Sequence, residues 1–358
     1  MNRPKDQHEV AILRGEEIIS LLDGRERDIM ELVRSAYEAH HKADSSLPHS
    51  LFLSFPSQPR NRIIALPAYL GDGFGVAGLK WIASFPDNLE AGLDRASAVI
   101  ILNSARTGHP EAILEGSVIS AKRTAASAAV AAKYLTAGPE VRGVGFVGCG
   151  LINFEIARFL LAQFPSLETF TLYDRTPEHA ALFAERCRAL APHVEVAVAG
   201  SLDEVLAGGR LISFATTALE PFVHSLEACP PGTVVLHISL RDLLPEVILK
   251  CVNVVDDVDH VCRARTSVNL AEQLVGNRDF INCALAEITS GAVESPHTPD
   301  SVTVFSPFGL GVLDLALAKY VSELARESGV GLALRDFLPP AWRSHDRTTQ
   351  PTSTKEKA

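Results

Sequence analysis

The sequence predicts an α/β protein, in which a doubly wound parallel sheet is joined to a discontinuous α+β unit. Three observations carry that prediction. Val144-Gly145-Phe146-Val147 is a short apolar run that ends in Gly148-Cys149-Gly150 and passes straight into a helical pattern. A second run, residues 169–173, ends in Asp174, 24 residues beyond Gly150. Further short apolar runs then alternate with helical patterns, which is how a parallel sheet is built. Strand, glycine turn, helix and acid-tipped strand in that order form the Rossmann arrangement for a dinucleotide. Gly148 permits the tight turn, and Gly150 lets backbone N–H groups at the helix start approach a pyrophosphate. Asp174 lies near the usual spacing of roughly 20 residues to the acid that accepts from the ribose hydroxyls.

About 140 residues precede this unit, so the nucleotide fold is the second unit of the chain. Residues 16–42 are predicted to be helical, with apolar positions at Ile18, Ile19, Leu22, Ile29, Leu32, Val33 and Ala36. Residues 51–55, 62–68, 76–83 and 97–102 are short apolar runs divided by Pro, Gly and Asn, as in an antiparallel sheet. Residues 111–135 are predicted to be a helix crowded with Ala and Ser, which lets other backbone come close or simply packs well in a core. The parallel strands are expected at 144–147, 169–174, 194–198, 211–215, 234–239 and 253–255, with a last strand at 302–305. A helix over 310–327 is expected to return to the first unit. The divisions are therefore 1–125 with 306–340 for substrate binding and dimerisation, and 126–305 for the dinucleotide. Residues 344–358 are polar and are expected to be a disordered tail.

Composition narrows the function. The 358 residues are 47% hydrophobic and 21% charged, enough for a large core, and the net charge of −10 argues against nucleic acid or an anionic membrane as partner. No run of about 18 uncharged apolar residues is present, so no membrane span is expected. The first residues, Met1-Asn2-Arg3-Pro4-Lys5-Asp6, lack the apolar segment of a signal peptide. The six cysteines form no Cys-x-x-Cys pair and are expected as reduced thiols in a cytoplasmic protein, with no metal site.

Several residues carry the chemistry. Asp174 favours NAD over a phosphorylated ribose, a preference that the adjacent Arg175 softens. Lys80 lies inside an apolar strand, where a lone ammonium costs several kcal/mol if it faces the core. It either faces solvent or holds an anionic ligand. Arg123 poses the same question on the small-residue helix: its guanidinium fork suits a carboxylate or phosphate, or a structural ion pair. Thr216 and Thr217 follow one parallel strand, and Ser239-Leu240-Arg241-Asp242 follows another. Carboxyl ends of such strands face the ligand crevice, where Asp242 is a candidate acid or base. Asp256-Asp257-Val258-Asp259-His260 follows a further strand and offers an ammonium or metal site, or a solvated acidic loop.

Together these residues resemble the ornithine cyclodeaminase/mu-crystallin family. The resemblance rests on Gly78-Leu79-Lys80, Arg123-Thr124-Ala125-Ala126, Gly148-x-Gly150, Asp174, and Phe308-Gly309 before a helix with Asp314. It covers about residues 11–335. Residues 62–67, 79–82, 95–97, 239–242, 256–262 and 306–309 are similar to the branch of that family that makes 2,3-diaminopropionate for siderophores and peptide antibiotics. The resemblance implies that Lys80 and Arg123 hold a substrate carboxylate, with Arg95 and Phe308 beside them and Lys80 also catalytic. It implies that Gly148, Gly150, Leu151, Ile152 and Arg123 line the NAD site, with Asp174 on its ribose. Thr216, Thr217, Ser239 and Leu240 would flank the nicotinamide. It further implies a homodimer acting on an amino-acid-derived substrate: NAD-dependent oxidative cleavage of N-(2-amino-2-carboxyethyl)-L-glutamate to 2-oxoglutarate and L-2,3-diaminopropionate. Ornithine cyclodeamination, or a related amino-acid dehydrogenase or imine reductase activity, is the alternative; a non-enzymatic nucleotide- or hormone-binding role is a third. The chain departs from cyclodeaminases at Ser239–Asp242, which replaces a Gly-Gly-Asp-Cys-Pro-Gly-Lys stretch, and at Pro48-His49-Ser50, where an arginine is expected. Both departures argue against ornithine.

Overall fold

The computed structural model describes residues 9–136 and 141–339. The predicted tail at 344–358 lies outside them. Two eight-stranded sheets dominate. In the first, the strands run in spatial order Leu332–Leu334, Val10–Leu13, Pro110–Glu115, Ala96–Ser104, Val76–Ser84, Gln58–Leu70 and Ser45–Ser46, with Leu51–Phe55 also paired to Gln58–Leu70. All pairs are antiparallel except that of Val10–Leu13 with Pro110–Glu115. Its register aligns Leu66, Lys80, Ile100 and Leu114 across four neighbouring strands. All four are buried, so the core face of this sheet carries one ammonium in a row of hydrocarbon.

Two expectations for this half change. The predicted helix over 16–42 is two helices, Gly15–Leu22 and Glu26–His41. Gly24 turns the chain between them at φ +67°, a conformation open to glycine at little cost. Residues 110–115 are a strand, and the helix begins only at Ser117, with Gly116 between them. A Cβ on Gly116 would lie 3.0 Å from that of Ala98, so the chain turns tightly against its neighbouring strand there. Helix Ser117–Leu135 then runs unbroken through the expected boundary at 125/126 and buries 14 residues. Its small side chains let it sit between other helices, as when Ser127 Oγ meets Tyr37 Oη at 2.7 Å and Lys122 Nζ meets Glu155 Oε2 at 3.3 Å.

The second sheet is wholly parallel, in the order Glu195–Val198, Thr169–Tyr173, Gly143–Val147, Leu211–Phe214, Val234–His237, Thr303–Ser306, Val252–Val255 and Ile281–Ala284. Order reverses between Gly143–Val147 and Leu211–Phe214, the switch point at which such sheets open a crevice. The late strand Thr303–Ser306 is inserted between two earlier ones rather than added at an edge. It delivers helix Gly311–Ser328 back onto the first sheet. A Cβ on Gly311 would lie only 3.2 Å from the Leu66 carbonyl, so the helix start rests on the strand beside Lys80.

Candidate active site

The glycine turn is fixed by contact. Gly148 has φ +90°, and a Cβ there would fall 2.6 Å from the Ala215 carbonyl, so the first and fourth strands of the parallel unit meet at this residue. Gly150 caps helix Leu151–Gln163 with no side chain bonded to the first-turn N–H groups, and open space surrounds it. Those donors, on Leu151, Ile152 and Asn153, are free for an anion. Leu151 is exposed and Ile152 half-buried. The third position of the fingerprint holds Asn153, fully buried. Its Nδ2 donates to the Val147 and Gly148 carbonyls at 3.0 and 2.6 Å, and its Oδ1 accepts from Ser213 at 2.7 Å. It clasps the turn, a larger role than the change in helix packing that its position predicts. Asp174 accepts from the N–H of Cys149 at 2.8 Å and of Thr176 at 2.9 Å, which aims its carboxylate at the turn. Arg175 is exposed beside it. These residues suit a dinucleotide: a pyrophosphate against the helix start and a ribose against Asp174.

Across the switch point, Asp242 is fully buried. Thr216 donates to its Oδ1 and Ser239 to its Oδ2, and His237 Nε2 lies 3.2 Å from Oδ2. Burial alone would raise its carboxyl, and the bonds from His237, Ser239 and Thr216 outweigh that and hold it below the usual carboxylate range. Both oxygens are therefore engaged in the folded protein, which leaves little of the basicity predicted for this residue. Leu240, between them, is buried with φ +67°, a strained conformation for a side chain of this kind that costs on the order of 1–3 kcal/mol. Thr217 is exposed and carries no side-chain bond among the described residues.

Lys80 does not face solvent. Its Nζ lies 2.7 Å from Asp314 Oδ2 and donates to Ser120 Oγ at 3.1 Å. Arg123 Nε donates to the other oxygen, Asp314 Oδ1, at 2.9 Å. Lys80, Arg123 and Asp314 are 2%, 8% and 0% exposed, so one carboxylate serves two cations in the core. Asp314 lies in the first turn of helix Gly311–Ser328, where the helix dipole favours an anion. Burial, with help from the Arg123 charge, lowers Lys80 to about 8 against the pull of Asp314. The free end of the Arg123 guanidinium lies over Gly309, where an added Cβ would meet Nη1 at 2.9 Å. Sequence spacing did not single out Asp314 as a site residue, because it is 191 residues from Arg123.

The acidic stretch 256–260 is neither a solvated loop nor a metal cluster. Its acids diverge: Asp256 accepts from the N–H groups of Phe308 and Gly309 at 2.8 and 2.7 Å, Asp259 pairs with Arg278 at 2.6 Å, and Asp257 meets His260 at 2.8 Å. Asp256 thus pins the half-buried Phe308 and the Gly309 peptide beneath Arg123. No described residues form a group of three metal-ligating side chains.

A second cationic group was only partly anticipated. Arg95 is half-buried, and burial together with the nearby Arg62 charge lowers its pKa. The same two causes lower Arg241, with Asp242 opposing. Arg62 Nε is buried without a hydrogen-bond partner. Arg62 and Arg95 have no carboxylate within 4 Å among the described residues. Arg62 shares the core face of the first sheet with Lys80, four residues along, because Arg62 pairs with Ser84 and Leu66 with Lys80.

Asp314→Asn should lower unfolding free energy by about 3–5 kcal/mol in urea titration, since it leaves two buried cations with no counter-charge. An unchanged midpoint would show that Asp314 contributes nothing to holding the pair.

Known proteins share this sequence pattern and this fold. Residues 23–329 match the ornithine cyclodeaminase/mu-crystallin family profile. The chain is 28% identical over 313 residues to N-((2S)-2-amino-2-carboxyethyl)-L-glutamate dehydrogenase of Staphylococcus aureus, spanning 85% of this chain and 92% of that one. Delta(1)-pyrroline-2-carboxylate reductase of Thermococcus litoralis, solved with NADH and L-proline, superposes with TM-score 0.84 at 27% identity, over 91% of this chain and all of that one. An archaeal alanine dehydrogenase dimer with bound NAD gives 0.82 at 28% identity, over 92% of this chain and all of that one. Among the described residues, no helix is long and apolar enough to cross a membrane. The chain belongs to the ornithine cyclodeaminase/mu-crystallin family.

Proposed function

We propose that this protein is an NAD-dependent dehydrogenase that oxidatively cleaves N-(2-amino-2-carboxyethyl)-L-glutamate to 2-oxoglutarate and L-2,3-diaminopropionate. One observation carries the choice of substrate. The crevice holds five cationic side chains in two groups. Lys80 and Arg123 share a buried counter-anion, Asp314, and Arg241 is drawn by the buried Asp242, whereas Arg62 and Arg95 have no carboxylate within 4 Å among the described residues. Arg62, Arg95 and Arg241 form the other group. A buried positive field of this size fits a substrate with three carboxylates better than one with a single carboxylate, as alanine or proline has. The Staphylococcus relative, named for this same substrate, supports the reading.

The division of labour follows. Lys80 and Arg123, with a net surplus of one positive charge beside Asp314, hold one substrate carboxylate; Arg62, Arg95 and Arg241 hold the others. The Gly309 peptide, fixed by Asp256, and the Phe308 ring form the wall beside Arg123. The cofactor is NAD: Gly148, Gly150, Leu151 and Ile152 lie along its pyrophosphate, with Asp174 on the adenosine ribose. Asp242 locks the Thr216 and Ser239 turns together at the nicotinamide end. When bound there, NAD accepts the hydride from the glutamate α-carbon. The resulting imine takes up water and splits into the keto acid and the diamine, which suits a siderophore or peptide natural-product pathway. Residues 1–125 with 306–340 serve as the substrate and dimerisation part and 126–305 as the cofactor part, with helix Ser117–Leu135 running from one into the other.

We also propose a homodimer. Leu51, Leu53 and Trp81 share one face of the first sheet and are exposed there, between 38% and 69%, an apolar patch that a second copy would cover. Sedimentation should give twice the chain mass of 38.5 kDa. With six unpaired cysteines, a reducing cytoplasm is the setting we propose.

Purified protein with this amine and NAD should generate NADH with equal amounts of 2-oxoglutarate and diaminopropionate. Arg62→Ala should raise KM for it about tenfold to a hundredfold, the cost of one charge-assisted contact of about 1.5–3 kcal/mol. No NADH from protein that binds NAD would reject the reading; ammonia from ornithine without net NADH would establish cyclodeamination instead. Acidity gives a further check. The Lys80 charge is present below its folded pKa of about 8 and lost above it. KM should therefore be flat up to about pH 8 and climb beyond, and Lys80→Arg should remove the climb.

A further inference from the structure

We propose that His260 is the general base of the reaction, a role that rests on the amine-oxidation reading above. Three titratable candidates lie buried around the crevice, and the structure separates them. Asp242 has both oxygens bonded and its charge held by three neighbours. Lys80 is tied to Asp314 at 2.7 Å. His260 differs from both. Its Nδ1 lies 2.8 Å from Asp257 Oδ1, and since a carboxylate only accepts, Nδ1 carries the proton. That leaves Nε2 as the nitrogen with a free lone pair. Nε2 is buried with no hydrogen-bond partner, in a residue 7% exposed. A buried polar atom without a partner costs about 1–3 kcal/mol, and functional sites are where such costs are retained.

Asp257 is built to orient this ring. It caps the short helix Val258–Val261 by accepting from the His260 N–H at 2.8 Å, and it lies 3.3 Å from His40 Nε2. His40 in turn meets Ser45 at 2.7 Å. These donors hold the Asp257 carboxyl far below the usual range against its burial, so the orienting charge is permanent. An aspartate behind a histidine whose far nitrogen is bare is the arrangement of a base with its tautomer fixed. The ring packs beside His49 at 5.3 Å and Phe308 at 6.3 Å between centroids. Phe308 adjoins Gly309, over which the Arg123 guanidinium lies, so two residues, Phe308 and Gly309, separate the base from the carboxylate clamp. The charged and titratable groups around the ring are Asp257, Asp256, His40 and His49.

The step balances. His260 Nε2 takes one proton from the secondary ammonium of the substrate, which restores the nitrogen lone pair. That pair forms the C=N bond as the α-carbon hydrogen leaves with its two electrons for NAD. Water then adds to the carbon of the protonated imine, its two protons pass to the nitrogen, and the C–N bond breaks with its electron pair going to the amine, which leaves as an ammonium as the C=O bond forms. The net change is amine, NAD and water to keto acid, diamine, NADH and one proton.

The test uses the full chain with NAD and N-(2-amino-2-carboxyethyl)-L-glutamate. His260→Ala should lower kcat about 10²–10⁴-fold, the range for a lost proton-transfer group. NAD affinity should stay within twofold of the unaltered protein, and added imidazole should restore part of kcat in proportion to its concentration. His260→Gln, which keeps the size and polarity, should lose kcat to the same extent, and it decides the matter if the alanine variant does not fold. Either folded variant retaining kcat within threefold, or a folded alanine variant that imidazole does not rescue, overturns the assignment alone. An unaltered protein that yields no NADH overturns the amine-oxidation reading, and the assignment with it.

Discussion

Everything at this crevice depends on one buried carboxylate between two buried cations. Lys80 is forced into the core by strand alternation, and Arg123 by a helix whose neighbours press on both sides. Neither position is tolerable for a lone charge. Asp314 makes both possible, and it arrives by the longest route in the chain. The polypeptide must complete the parallel sheet, insert Thr303–Ser306 between older strands, and return over Leu66 before the carboxylate reaches its partners. The site is thus assembled by the same crossing that joins the two sheets. Because one negative charge serves two positive ones, the cluster keeps a surplus of one and attracts anions even when complete. Asp242 has the opposite balance: one negative charge among neutral donors and a histidine. The two clusters thus have opposite charge balance, positive around Lys80 and Arg123 and negative around Asp242.

The legibility of the sequence followed the range of the interaction. The glycine turn and Asp174 were readable because their constraint is local: Gly148 needs φ +90°, and a strand, a turn and a helix start adjoin within ten residues. Lys80 and Arg123 were readable as anomalies, charges in apolar settings. Their partner was not, because spacing says nothing across 191 residues. The strand at 110–115 was hidden by its good helix-forming neighbours, and only the tight turn at Gly116 separates the two. Ile281–Ala284 went unseen because four residues at a sheet edge, partly exposed, carry too short a pattern.

In the acidic stretch the obstacle was direction rather than distance. Asp256, Asp257 and Asp259 look alike in sequence, so composition suggests a solvated run or a metal site. In the fold Asp256 pins a peptide, Asp257 orients an imidazole and Asp259 pairs with an arginine. Alternation at the end of Val252–Val255 turns Asp256 inward, and the short helix that follows places His260 over its own cap.

Specificity within this fold follows from what remains unpaired. Relatives named for alanine or for a pyrroline carboxylate superpose on this chain over nearly all of its length, so the backbone does not select the substrate. Arg95 and Arg241 are partly desolvated and each lies near the Arg62 charge; Arg241 donates to the Ala264 carbonyl at 2.8 Å and is drawn by Asp242, while Arg62 and Arg95 have no described carboxylate partner. In the function we propose, the cost of holding them close together is recovered when the substrate brings negative charge into the crevice. A monocarboxylate satisfies Lys80 and Arg123 and leaves that cost in place. On the substrate reading proposed above, a polycarboxylate would remove it, and discrimination would then arise from repulsion already present in the free protein rather than from any extra fit.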